Sequence, residues 1–337
     1  MVVSLKHSTV VAVPDDGTSP VGSDEWNAEH NLTLDSGFVL GRQSAGNGPV
    51  EQIAAFGDRP AAGQLTYLSP TALKFAPTGY SGRLIQINGV LYPIPVGGIA
   101  GLGNTGVYLD NVANQNLAAN TVYTIYAIVV AGVVTANFRD DAPGNHRPSQ
   151  TVGNESVEVL YQTSTSTEYP TNTLIGMCRT NASAQFQDDK SNKFVLSWFN
   201  RRRRTGSNYA TANPNTGTGT YAESPTPYRV NFLCWAGDEV EWEIHAATYS
   251  GSAVWTYTAI GFDGINAEVT AQAFGTYYYA DLLSIRDVKV GLTEGFHYAC
   301  QLFAGNTTVY FANTAPSNVP SAGGNVPSTH LVITVNG

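Results

Sequence analysis

The stretch Glu239-Val240-Glu241-Trp242-Glu243-Ile244-His245 decides the fold class, because its apolar and polar residues alternate strictly. Successive side chains of a β-strand point to opposite faces, so Val240, Trp242 and Ile244 share one face. The pattern predicts an antiparallel strand that is half buried. Short apolar runs recur at regular spacing through residues 255–335, which predicts a jelly-roll-like β-sandwich.

Two hairpins are predicted before this region. Asn88-Gly89 between two apolar runs is a strong hairpin turn signal. The apolar run 122–130 is followed by Ala131-Gly132 and a second apolar run, 133–138. The composition agrees, since Gly (34) and Pro (17) are abundant, Met (2) is scarce and charged residues are only 13%. We therefore expect an all-β chain, in which 337 residues form several modules.

The order of these patterns along the chain predicts four parts. The first is too small to fold alone and must dock onto something. The second is a slender, Gly- and Pro-punctuated β region. A middle β module and a C-terminal β-sandwich follow. The predicted bounds are 1–36, 37–106, 107–205 and 206–337.

The charge is unevenly distributed and argues against some partners. Residues 205–337 hold three cations against ten carboxylates, whereas residues 1–204 hold 14 against 16. Phosphate groups are bound by Lys and Arg, so an acidic C-terminal part argues against nucleic acid as a partner. The longest apolar run, 122–134, is shorter than the roughly 20 residues that span a bilayer, so membrane insertion is not expected.

The reactive residue types show no catalytic or metal-binding spacing. The six histidines and three cysteines form no HExxH, HxH or CxxC pattern, and neither a nucleophile elbow nor a P-loop occurs. We therefore predict no catalytic residue, no metal site and no cofactor, with buried, reduced cysteines.

Two charged clusters leave alternatives open. Arg201 to Arg204 form a run that fits a solvated strand end, an inter-subunit salt bridge or a contact with an anion. Glu239, Glu241 and Glu243 fit a solvated strand face, an inverting glycosidase pair or Ca²⁺ ligands.

Aromatic residues crowd the last third of the chain among Asn, Ser, Thr and Gly. Rigid aromatics in such a setting are suited to binding sugars or another protein, although core and trimer-interface packing would use the same residues. The candidate receptor contacts are Tyr249, Trp255, Tyr277, Tyr278 and Tyr279.

Two segments carry a family resemblance. The N-terminal His7, Asp15-Asp16-Gly17 and Trp26-Asn27-Ala28-Glu29-His30 resemble the leader of tail-fibre, head-fibre (spike) and related virion proteins of alphaproteobacterial phages and prophages. In those proteins a Trp-Asn-x-x-His motif closes a short anchor. Segments around residues 116–123, 174–182 and 196–202 resemble the β module that follows.

The resemblance implies a virion structural protein, usually a homotrimer, placed on the virion surface after assembly in the host cytoplasm. Residues 1–36 would contact other virion proteins through His7, Trp26, Asn27 and His30. The distal end, residues 206–337, would attach the particle to a host surface glycan or protein. The alternatives are a capsid or neck decoration protein without adhesion, and a fibre-borne glycan depolymerase. Neither a fibre protein nor a decoration protein would be an enzyme, whereas a depolymerase would.

Overall fold

The structure is a computed structural model, and it describes part of the chain. The described residues are 2–5, 30–33, 38–41, 51–54, 63–78, 83–141, 143–209, 215–216, 220–223, 228–250, 254–268, 270–275, 281–305, 309–311 and 330–336. The chain divides into two compact units, Met1–Arg59 and Pro60–Gly337.

The described residues contain strands and no helix, so the chain is all-β as predicted. It follows that none of them forms a helix capable of crossing a membrane. In chain order the strands are β1 (Val2–Leu5), β2 (His30–Thr33), β3 (Phe38–Gly41), β4 (Glu51–Ala54), β5 (Gln64–Ser69), β6 (Ala72–Ala76), β7 (Leu84–Ile87), β8 (Val90–Pro93), β9 (Val107–Leu109), β10 (Val112–Gln115), β11 (Val122–Val130), β12 (Val133–Arg139), β13 (His146–Pro148), β14 (Glu158–Gln162), β15 (Thr167–Arg179), β16 (Asn192–Lys193), β17 (Val195–Ser197), β18 (Arg203–Tyr209), β19 (Asn215–Thr216), β20 (Ala222–Glu223), β21 (Arg229–Cys234), β22 (Val240–Ser250), β23 (Val254–Phe262), β24 (Thr270–Gly275), β25 (Asp281–Lys289), β26 (Gly295–Gly305), β27 (Val309–Phe311) and β28 (His330–Asn336).

The first unit contains two antiparallel pairs, β1 with β2 and β3 with β4. The second unit begins with the hairpins β5–β6 and β7–β8. The Asn88-Gly89 turn of the second hairpin is confirmed, and both residues have positive φ (50° and 77°), as a type I′ turn requires.

An eight-stranded sheet follows, in the order β10-β9-β12-β11-β15-β14-β13, with β17 also paired to β15. The hairpin β11–β12 was predicted and is confirmed by the pairing of Val130 with Val133. Strand β11 is apolar on both faces because both faces are covered. Tyr123 and Ile125 pack with hairpin residues such as Phe75 and Ile85, whereas Tyr126 packs with the C-terminal strands.

The C-terminal strands form two facing sheets with jelly-roll topology. One sheet runs β18-β28-β22-β25 and the other runs β21-β26-β23-β24, with β16, β19, β20 and β27 as short additions. Eight strands arranged in this way form two Greek keys. The alternation that decided the fold class is confirmed, since Val240, Trp242 and Ile244 are buried in the core between the sheets.

One hydrophobic core joins the sandwich to the eight-stranded sheet. It contains Phe232 and Ile333 from the two facing sheets together with Tyr126, Leu174 and Met177 from β11 and β15. The eight-stranded sheet is therefore packed between the N-terminal hairpins and the sandwich. The predicted bounds at residues 36, 106 and 205 stay a prediction.

Candidate functional site

An open groove with a volume of about 380 Å³ lies where the β7–β8 hairpin meets the eight-stranded sheet. None of the described residues lining it carries a charge. Its walls combine amide, hydroxyl, aromatic and aliphatic side chains, which are Ile87, Asn88, Val90, Tyr92, Asn111, Ile128, Val129, Thr171 and Asn172. Small-molecule sites are concave and combine apolar side chains with a few polar groups, and this groove has both kinds of side chain.

The hairpin wall is fixed to the sheet by hydrogen bonds. The backbone N–H of Asn88 donates to Pro170 O at 3.1 Å, and the N–H of Gly89 donates to Asn154 Oδ1 at 2.9 Å. The buried hydroxyl of Thr173 donates to Gln86 O at 2.6 Å. The Gln86 side chain also donates to Gly153 O. The groove is therefore largely formed before any ligand binds.

The opposite wall depends on the buried side chain of Asn137. Its Oδ1 accepts the backbone N–H of Asn111 at 3.0 Å. Its Nδ2 donates to Asn111 Oδ1 at 3.0 Å and to Asn172 Oδ1 at 3.1 Å. Asn111 lies in a turn with φ of 65°, a conformation that Asn adopts more readily than most residues. One buried amide thus orients two groove amides.

Sequence reasoning missed this groove. Its residues come from four separate segments, and none forms a recognised motif. The one local signal that the sequence analysis used here is Asn88-Gly89, which predicts a turn and not a site.

The predicted site residues fall almost wholly outside the described parts. His7, Trp26, Asn27, Tyr277, Tyr278 and Tyr279 lie outside the described residues. The backbone of His30 lies in β2, that of Tyr249 in β22 and that of Trp255 in β23, but their side chains are not among the described ones. These assignments stay predictions.

The arginine run forms pairs within the chain. Arg201 lies 3.0 Å from Asp238 and stacks over Trp198, Arg203 pairs with Glu241, and Arg204 pairs with Asp188. The Oε2 atom of Glu241 also lies 3.3 Å from Arg286. The alternatives left open by the sequence did not include ion pairs within the chain, which are the contacts that these three arginines and Glu241 make in the structure.

A second polar cluster joins the eight-stranded sheet to the sandwich. His146 lies with Nδ1 3.0 Å from Glu158 and Nε2 3.0 Å from Glu294, and its ring packs edge-on against Trp198 and Trp235. Burial lowers the pKa of His146, but the hydrogen bonds to the two carboxylates outweigh burial and raise the pKa to about 9. The side chains of His146, Glu158 and Glu294 are largely buried, at 12%, 18% and 5% exposed, so we interpret the cluster as structural.

Comparison of the sequence with protein-family models and with curated proteins gave no match. Solved structures similar to this chain include TmCBM61 in complex with beta-1,4-galactotriose, at 12% identity, with 33% of this chain and 83% of that chain covered and a TM-score of 0.19. A structure of infectious bursal disease virus, Gx strain, shares 13% identity over 82% of this chain and 67% of that one, with a TM-score of 0.26. The insecticidal delta-endotoxin Cry8Ea1 from Bacillus thuringiensis shares 8% sequence identity over 82% of this chain and 52% of that chain, with a TM-score of 0.24. Such low scores carry no inference about function.

Proposed function

We propose that this chain is a structural fibre or spike subunit of a phage particle, and that it attaches the particle to a host surface glycan through the groove. The described residues that line the groove fall between 87 and 172, so the proposed contact lies outside the C-terminal part, 206–337, for which the sequence predicts receptor attachment. The observation that supports glycan binding is the groove itself. Its described lining residues carry no charge and include amides and a tyrosine, and hydrogen bonds hold its walls in shape. Neutral sugars are recognised by hydrogen bonds to hydroxyls and by packing of C–H groups on aromatic rings.

The fold supports the proposal by analogy. Eight-stranded jelly rolls are used both in viral capsid proteins and in lectins, although a fold alone does not fix function. The resemblance of the N-terminal segment to virion leader sequences supports the virion part. Residues 1–36 are the proposed contact with other virion proteins, and deletion of this segment followed by a copurification assay with particles tests that assignment.

Binding rather than hydrolysis is the proposed activity of the groove. Glycoside hydrolysis needs a pair of carboxyl groups beside the scissile bond. No Asp or Glu is found among the described residues that line the groove. Its donors and apolar surface can hold a sugar but offer no general acid.

Replacing Tyr92 with alanine tests the proposed function. Tyr92 lines the groove, so Tyr92→Ala is expected to weaken binding of the full chain on a broad glycan array by about five- to tenfold, the effect of roughly 1 kcal/mol. Tyr67→Ala is the matched control, because Tyr67 is also half-buried against the same hydrophobic cluster but does not line the groove. Equal binding by both variants, or no glycan bound by the wild type, would overturn the proposal.

A further inference from the structure

We infer that the groove selects an N-acetylated sugar and recognises its acetamido group. This inference rests on the proposed glycan-binding function and names the ligand class of the same site. It follows from the orientation of the groove amides, from the apolar side chains beside them and from the absence of charge among the described lining residues.

The orientation of the amides is fixed by one backbone group. The N–H of Asn111 needs an oxygen acceptor, so the Oδ1 atom of Asn137 must face it. The Nδ2 atom of Asn137 therefore faces the side-chain oxygens of Asn111 and Asn172 and uses both as acceptors. Each of these two side chains then has its Nδ2 left for other partners.

The groove consequently presents hydrogen-bond donors. The Nδ2 atom of Asn111 makes no hydrogen bond to the described residues. The Nδ2 atom of Asn172 donates to Thr171 Oγ1 at 3.2 Å, which leaves the hydroxyl hydrogen of Thr171 free to donate. A strong neutral acceptor, such as an amide carbonyl, fits these donors better than an ether or hydroxyl oxygen does.

Aliphatic side chains lie beside the donors. Ile128, Val129 and Val90 line the same groove, and Val90 is 52% exposed. An acetamido group carries a carbonyl acceptor and a methyl group two bonds apart. It can therefore use the donors and the aliphatic wall together, whereas a plain hexose offers no methyl group and an anionic sugar would lose hydration without a countercharge.

Three trisaccharides separate these ligand classes. The probes are tri-N-acetylchitotriose, cellotriose, which has hydroxyls in place of acetamido groups, and trigalacturonic acid, which is anionic. We expect the full chain to bind tri-N-acetylchitotriose at least about tenfold more tightly than either of the others in ligand-observed NMR titrations. A tenfold ratio matches the loss of about one hydrogen bond with its apolar contact.

A single substitution tests the donor directly. In Asn111→Asp, one carboxylate oxygen can keep the bond from Asn137, while the other replaces the donor with a charged acceptor. Binding of tri-N-acetylchitotriose should fall by at least about tenfold. Asn114→Asp is the control, because Asn114 is exposed on β10, the strand that directly follows the Asn111 turn, has positive φ like Asn111 and lies outside the groove.

The outcomes distinguish this inference from the proposed function. If cellotriose or trigalacturonic acid binds as tightly, with the loss on Tyr92→Ala retained, the groove binds glycans and the acetamido inference is wrong. If no saccharide binds here or on the array, the proposed function itself is wrong. If Asn111→Asp does not fold, the preference among the three probes still decides, since it uses the wild-type chain.

Discussion

At the scale of single residues, His146 shows how burial and charge combine. Both of its ring nitrogens face carboxylates, and a carboxylate only accepts hydrogen bonds. Both nitrogens must therefore carry protons, so the buried ring is an imidazolium. Other charged groups near His146 belong to neighbouring elements. Asp238 forms an ion pair with Arg201 beside the packed tryptophans, and Asp141 forms an ion pair with Arg139 near Tyr126.

We predict that the stability contributed by His146 is lost at alkaline pH. A pKa raised from 6.5 to about 9 means that this contribution is complete below pH 6.5 and is lost as pH rises through about 9. The whole contribution is about 3 kcal/mol, because a change of one in pKa corresponds to about 1.4 kcal/mol. The midpoint of urea unfolding, measured at a series of pH values between pH 6 and pH 10, tests this loss of stability.

His146→Gln is the variant for comparison in these titrations. It keeps a polar side chain but has no titrating group, so its stability should be lower at pH 6 and should change less between pH 6.5 and 9. A wild-type chain whose urea midpoint stays constant across this window would contradict the assignment of an imidazolium.

At the scale of secondary-structure elements, the hairpins were the part that the sequence predicted best. Asn88-Gly89 and Ala131-Gly132 are local signals, because positive φ is a property of the turn residues themselves. The strand over 240–244 could also be predicted from its alternating sequence, because one of its faces is buried. The groove could not be predicted from the sequence, because Asn111, Asn137 and Asn172 come together only when strands distant in sequence pair.

The β7–β8 hairpin gives a prediction at this scale. Thr173→Val removes the hydroxyl that bonds to Gln86 O and keeps the side-chain shape. We expect a loss of about 1 kcal/mol and faster amide exchange in residues 84–93, measured by hydrogen-exchange mass spectrometry. Thr135→Val is the control, since the Thr135 hydroxyl bonds only to Val133 O on its own strand. Equal exchange in both variants would show that Thr173 does not hold the hairpin.

At the scale of the whole molecule, the jelly roll has an open side. In the described part of the chain, β25 pairs only with β22, so the outer edge of a nine-residue strand has no strand partner there. Such an edge exposes backbone donors and acceptors to any other chain. Val288, on the same strand, is 42% exposed. Contact with further copies of the chain would cover this edge.

The last prediction concerns the homotrimer implied by the resemblance to fibre and spike proteins. Light scattering of the full chain should give a mass near three times 35.9 kDa. If the β25 edge takes part, Val288→Lys should lower the mass towards that of one chain, because a lysine ammonium is costly to bury at an interface. Val152→Lys, at a residue 91% exposed and distant in sequence from β25, should leave the mass unchanged. If the wild-type chain is a monomer, the homotrimer is wrong and a decoration protein is favoured over a fibre. Glycan binding in the groove would then still be decided by the saccharide titrations, which do not depend on the oligomeric state.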